Sequence, residues 1–377
     1  MHLPPKQPIR AQDPSRLPAI DMMRGIVMVL MALDHASHAF NAGRYTQDSY
    51  LWYSAGAQIP AIQFMVRWVT HICAPTFLFL AGFVLALSVA RRQARGDTER
   101  SIDSDMIKRG IFILLLDPLW MSFGFGGNIT LQVLYAIGGS FCLMVPLRRM
   151  GLRSLLAVGL GLCILGEGLA VWAGNGQKPS LIATFLITGG AVTKDVYVLY
   201  PLLPWLAYML LGWVGGQYLL GKEGVKPVHL FSKAGLISLA VFFIVRGFNQ
   251  YGNMLLYRYD LSIPQWLHVS KYPPGLSFAA LELGLMFLML AFLFAAYRNH
   301  KPSAANPLQV FGRTPLFFYI LHVHLLAGAA WALNLYRVGG LVETGLATLT
   351  VLGVLYPLCR CYDRFKRAHP TSLLRYL

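Results

Sequence analysis

The sequence predicts an all-α fold, a polytopic bundle of about ten membrane-spanning helices with both termini in the cytoplasm. Three observations predict it. Of the 377 residues, 56% are hydrophobic and only 13% are charged, where a soluble domain carries about 25% charge; the mean hydropathy is +0.53. About ten windows reach the roughly 20 apolar residues that cross a bilayer. The basic residues collect in short loops on one side of those windows. Helices satisfy their own backbone amides, as a chain in lipid must.

The windows are residues 18–40, 60–90, 106–121, 129–147, 153–173, 198–220, 232–249, 275–297, 312–333 and 341–359. Residues 1–17 read as a polar, Pro-rich cytoplasmic tail, with no small-residue cleavage site after the apolar run that follows. Residues 18–359 read as one integrated membrane domain, because no long polar stretch divides them, and residues 360–377 as a basic cytoplasmic tail. In the third window, Asp117-Pro118 should kink or end the helix.

Of the 32 Lys and Arg residues, 24 fall on one side of this topology and 8 on the other. The larger group includes Lys6, Arg10, Arg16, Arg24, Arg91, Arg92, Arg109, Arg148, Lys222, Lys301, Arg313, Lys366 and Arg375. Cytoplasmic loops carry such an excess, which sets both termini inside and favours an even number of spans. The net charge of +16 therefore reports orientation in a lipid bilayer and not a nucleic-acid surface. The five cysteines are odd in number and lack metal-ligand spacing, so they imply no disulfide framework. The loops on the far side, 41–59, 174–198 and 250–274, are long and rich in Tyr and Trp, which fits interfacial anchors or functional loops.

The chain is organised around AIDMMRGIVMVLMALDHASHAF, residues 19–40. With Arg24 at the inner interface, His35 lies 11 residues further on, about 16 Å deeper. Ionisable groups at that depth are costly and mark function. Neighbours on a helix point about 100° apart, so Asp34 and His35 cannot face one another; Asp34 can reach His38 or another helix. His322 in FGRTPLFFYILHVHLL sits about 14 Å in from Arg313, and of His322 and His324 only one can share a site with Asp34. His71, four residues after Arg67 in RWVTHICAPTFLFLAGF, is a further candidate. Glu167 and Glu282 are mid-span acids of second rank. No HExxH pattern supports a metal, no GxGxxG or Walker loop a nucleotide fold, and no GxSxG elbow a hydrolase.

Taken together, AIDMMRGIVMVLMALDH, RWVTHICAPTFLFLAG, YPLLPWLAYMLLGWVGG, RGFNQYGN, KYPPGLSFAALELG and FGRTPLFFYILHVHL resemble the bacterial DUF1624 proteins, which are related to the catalytic domain of heparan-α-glucosaminide N-acetyltransferase and to the wider transmembrane acyltransferase superfamily. The resemblance runs from residue 19 to about 326. It implies acyl transfer, usually of acetyl from acetyl-CoA as co-substrate, across the membrane to a sugar or glycan acceptor, without a metal. Animal lysosomal relatives carry Asn where this chain has Asp34, and a catalytic His in the first outer loop, where residues 41–59 hold none. On this reading His35, Asp34, His322 and His71 are the catalytic candidates. Arg24, Arg91, Arg92, Arg109 and Arg148 would hold the acyl-CoA phosphates. Arg67, Arg246, Asn249, Lys271, Tyr272, Tyr200 and Trp205 would hold the acceptor. A homodimer is compatible with the sequence, which also leaves direct transfer and an acyl-His intermediate open. A proton-coupled transporter of a sugar or lipid-linked precursor would use the same buried Asp and His, although no inverted pair of broken helices is visible.

Overall fold

Twelve helices of seven or more residues carry the architecture among the described residues: α1 (Pro18–Phe40), α2 (Ala61–Trp68), α3 (Cys73–Ala94), α4 (Glu99–Leu116), α5 (Val133–Leu147), α6 (Leu152–Gly174), α7 (Leu202–Gly221), α8 (Pro227–Phe248), α9 (Leu276–Ala296), α10 (Pro307–Arg313), α11 (Pro315–Ala332) and α12 (Leu341–Ala368). A computed structural model describes residues 17–369 and 372, apart from 55, 126, 175–177, 222–223 and 300–301. Lys6, Arg10, Arg16, Lys222, Lys301 and Arg375 thus lie outside the described residues, as does the predicted N-terminal tail except Leu17.

The all-α membrane bundle is as predicted. Among the described residues six segments are long and apolar enough to cross a membrane: 61–94, α6, α8, α9, α11 and α12. The count of ten is therefore not reached. Helices α1, with 23 residues, and α7, with 20, are both longer than α11, with 18. Their sequences explain the shortfall: α1 carries Asp21, Arg24 and Asp34, and α7 is rich in Gly, Trp and Tyr.

Several predicted boundaries move, each for a local reason. The window at 60–90 splits into α2 and α3, joined by turns at 69–72. Pro75 has no N–H to give to the carbonyl of His71, four residues back. At Asp117-Pro118 the chain does not stop but passes through one π-helical turn, Asp117–Met121, a common way to absorb a missing helical bond. The fourth and sixth windows begin instead as short strands, β1 (Ile129–Leu131) and β3 (Val196–Val198), which pair in parallel while β2 (Gly190–Ala191) pairs antiparallel with β3. The last helix runs on to Ala368, so residues 360–368 are helical.

The closest pairings are α8 with α9, α3 with α7, α4 with α5 and α1 with α10. Small residues make such close approaches possible, as is usual where helices meet in lipid. A Cβ on Gly82 would run into the Met209 carbonyl, and one on Gly212 into the Phe79 carbonyl. Gly25 and Gly312 do the same for α1 and α10. Helices α6, α8 and α12 turn most of their apolar surface outward, with Leu236, Ile237, Phe243 and Leu349 exposed as lipid-facing residues would be. Asp34 and His35 of α1 and Arg67 of α2 lie within the bundle.

Candidate active site

Asp34 and His35, adjacent in sequence, diverge as helical geometry requires and enter two different networks. Asp34 meets Arg67, whose Nη1 donates to both carboxylate oxygens at 2.7 and 2.8 Å. Arg44 adds a contact at 3.0 Å and donates to the Asp34 carbonyl at 2.6 Å. Thr70 Oγ1 lies 3.0 Å from Asp34 Oδ1. The same Arg67 reaches Asp48, with Nε at 2.8 Å and Nη2 at 2.6 Å from Oδ2, and Nη2 donates to Tyr272 Oη at 3.2 Å. Asp48 Oδ2 also holds His71 Nε2 at 2.9 Å. The chain Asp34–Arg67–Asp48–His71 is thus continuous. Burial alone would push the Asp48 carboxyl up, but Arg67 and the bond from His71 overcome it and hold it well below the usual carboxylate range.

His35 takes the other direction. Its Nδ1 lies 2.7 Å from Nε2 of His322, with ring centroids 4.9 Å apart and nearly parallel. Two hundred and eighty-seven residues separate them. His322 Nδ1 is 3.0 Å from the Phe318 carbonyl. A carbonyl only accepts, so His322 Nδ1 carries the hydrogen. With both rings neutral, His322 Nε2 is then the acceptor and His35 Nδ1 the donor. The lone pair of the dyad is left on His35 Nε2.

His35 also lines a small cavity of about 30 Å³, with Asp34, Thr70, Cys73, Gln132, Tyr200, Lys271 and Tyr319 among its walls. That is room for one or two waters, so only the tips of two reactants fit. A larger cavity of about 320 Å³ adjoins it, sharing Met31, Phe77, Val133 and Tyr319. Its walls are apolar side chains of α1, α3, α4, α5 and α11, and its charged lining is all basic: Arg24, Arg91, Arg109, Arg313 and Lys366.

Several expected residues take other parts. Arg92 is tied to Asp97 at 2.6 Å and Asp105 at 2.8 Å, and Arg148 to Glu99 at 2.5 Å and Asp103 at 2.6 Å. Neither lines the basic cavity, so among the five expected phosphate ligands only Arg24, Arg91 and Arg109 do. Arg246 is fully buried, and its N–H groups go to Asn253 Oδ1 and the carbonyls of Leu256, Gln265, Trp266 and His268. A guanidinium has five donors, so none remains for a sugar. Asn249 closes the Arg258 turn from a left-handed cap. Trp205 is buried in the core against Tyr200, Tyr208 and Phe278. His71 is sealed at 0% exposure and lines neither cavity. Glu167 accepts from the backbone of Gly252 and Met254. His324 packs on Trp120. Asp34 orients no imidazole, since both its oxygens are taken by arginines and Thr70. Among the described residues no group of three or more His, Cys, Asp and Glu could hold a metal ion.

Asp48, Arg44, Thr70, Gln132 and Tyr319 were not expected at the site. Asp48 had one available signal: it is the only acid in the loop 41–59. Gln132 follows β1 and precedes α5, and its backbone N–H is fixed by Asp117 at 2.8 Å. Nothing in its local sequence marks it.

Fold and site together define a multi-pass helical membrane protein with an imidazole pair and a clamped carboxylate inside the bundle, next to a basic cavity. A family model described as heparan-alpha-glucosaminide N-acetyltransferase, catalytic, matches residues 16–247, more than half of the chain, and the chain belongs to that family. The matched range includes Asp34, His35, Arg67 and His71; Lys271, Tyr272 and His322 lie beyond it. No curated protein matches the chain.

Proposed function

We propose that this protein is an acyl-CoA-dependent transmembrane acyltransferase of the bacterial inner membrane. It moves an acetyl group from acetyl-CoA on the cytoplasmic side to an amino or hydroxyl group of a sugar or glycan on the other side. The observation that carries this reading is the adjoining pair of cavities, one apolar with basic charges in its wall, the other small and walled by His35. Arg24, Arg91 and Arg109, with Arg313 and Lys366, meet the phosphates by charge-assisted hydrogen bonds. The apolar walls take the pantetheine arm, which places the thioester near Met31, Phe77, Val133 and Tyr319.

His35 is the general base, through the nitrogen that the His322 contact leaves with its lone pair. His322 fixes the tautomer and shares the charge once His35 is protonated. Asp34 and Arg67 shape the outer wall, and Tyr200 and Tyr272, whose hydroxyls lie 3.4 Å apart, meet the acceptor. Direct transfer suits this arrangement: the acceptor needs only to put its reacting atom into the small cavity.

The test is release of CoA thiol from acetyl-CoA by purified protein, with glucosamine as acceptor, in wild type and His35→Ala. Wild-type turnover that His35→Ala abolishes supports the reading. Absence of both acetyl-CoA binding and thioester cleavage in wild type, with proton-dependent sugar uptake into liposomes, would replace it with transport.

A further inference from the structure

Among the described residues Lys271 is the basic side chain that lines the histidine cavity; Arg67 and Arg44 contact Asp34 of its wall, and both are committed. Arg67 is clamped by Asp34 and Asp48, and Arg44 by Asp34 and its carbonyl. Lys271 differs. It is 3% exposed and lines the cavity with His35. Among the described residues its Nζ makes no hydrogen bond and has no carboxylate oxygen within 4.0 Å. The face of Tyr272, 5.3 Å away, is the contact it does make. Its backbone is nonetheless fixed: Lys271 N donates to the Asp48 carbonyl at 2.8 Å, Ser49 Oγ donates to the Tyr272 carbonyl, and Lys271 bridges to Pro274. Asp34, Asp48 and Glu282 act on it from beyond direct contact, and a buried ammonium that makes no direct ion pair is unfavourable. It is useful where it meets charge that forms only during reaction.

Resting on the acyl-transfer reading above, we propose that Lys271 is the oxyanion donor of the reaction, a catalytic residue that binds the thioester carbonyl oxygen. A cavity of about 30 Å³ is too small for a carbonyl inside it to lie far from either His35 or Lys271. The acceptor nitrogen or oxygen adds its lone pair to the carbonyl carbon, and the C=O π pair moves onto oxygen beside the ammonium. The acceptor's proton passes to His35 Nε2. The oxyanion then re-forms C=O as the C–S bond breaks. The sulfur takes that bond pair and receives the proton from the His35 imidazolium, giving CoA thiol and the acylated acceptor. Lysine suits a single oxygen because its ammonium is a compact point charge, whereas arginine is a flat fork.

The experiment measures thiol release from acetyl-CoA with glucosamine, and with water alone, in wild type, Lys271→Met and Lys271→Ala. Wild-type turnover comes first, since its absence defeats the acyl-transfer reading and not the role of this lysine within it. Given turnover, Lys271→Met should lower kcat about 10²- to 10³-fold in both assays, with each KM within about threefold. Methylammonium added to Lys271→Ala should restore rate in a saturable way. If kcat is kept while the KM for glucosamine rises, Lys271 anchors the acceptor and the proposal is overturned. Stable acetylation of Lys271 in active wild-type protein, seen by mass spectrometry, overturns it as well. If Lys271→Met does not fold, Lys271→Gln, uncharged and polar, is read by the same criteria.

Discussion

Around the histidine cavity, Arg67 is gripped by two carboxylates at 2.6 and 2.7 Å and also donates to a tyrosine hydroxyl. Around the basic cavity, Arg24 lies 3.8 Å from Asp21, and Arg313 Nε lies 3.3 Å from Asp363. Among the described residues no acid lines that cavity. The difference teaches how one residue type serves two ends. A buried cation with tight multivalent pairing fixes the shape of a site, since losing either partner leaves a charge stranded. A cation beside open space keeps its field for a ligand.

The comparison can be broken in several ways, beginning with the largest effect. His35→Ala removes the base and should lower turnover about 10³-fold, measured by thiol release; a loss under tenfold would move the base elsewhere. Arg67→Met should cost about 3–5 kcal/mol of stability, because it takes the shared cation from two buried carboxylates, Asp34 and Asp48, and thermal unfolding in detergent measures it. An unchanged unfolding temperature would mean that the clamp is not structural. In the basic cavity, Arg91→Gln and Arg109→Gln should each raise the KM for acetyl-CoA about tenfold, roughly 1.4 kcal/mol, with kcat within about twofold. Their effect should shrink as salt rises. A fall in kcat instead would mean that the two regions do not act separately.

The smallest expected effect concerns pH. The folded Asp48 carboxyl lies below its ordinary range, so its contribution to stability is complete above the unfolded value of about 3.9 and is lost only as pH falls through the folded value. Unfolding temperatures should therefore show no loss from Asp48 between pH 7 and about 5, while Asp48→Asn lowers them throughout that window. A transition in wild type near neutral pH that Asp48→Asn removes would contradict the clamp.

Much of the fold was legible because lipid constrains sequence strongly. Apolar run length and basic-loop bias announce a helical bundle without any knowledge of packing. The breaks were less legible: Pro118 was visible, but that its helix would continue through a π turn depended on Asp117 capping the start of α5. Of the site, Asp34, His35 and His322 could be picked out because imidazole and carboxylate are rare at such depth. Arg246 and Trp205 looked equally suggestive and proved to be a loop staple and a core side chain. Sequence reports the presence of a polar group and not whether its donors are already spent.

The amino-acid sequence by itself determined that this chain enters a membrane and that Asp34 and His35 ride on one helix pointing different ways, because helical periodicity is local. Only the tertiary structure decided which imidazole faces a cavity, which acid is clamped and which lysine is left open. Those outcomes depend on contacts such as His35 with His322 and Arg67 with Asp48, between residues brought together by packing, which no local pattern encodes.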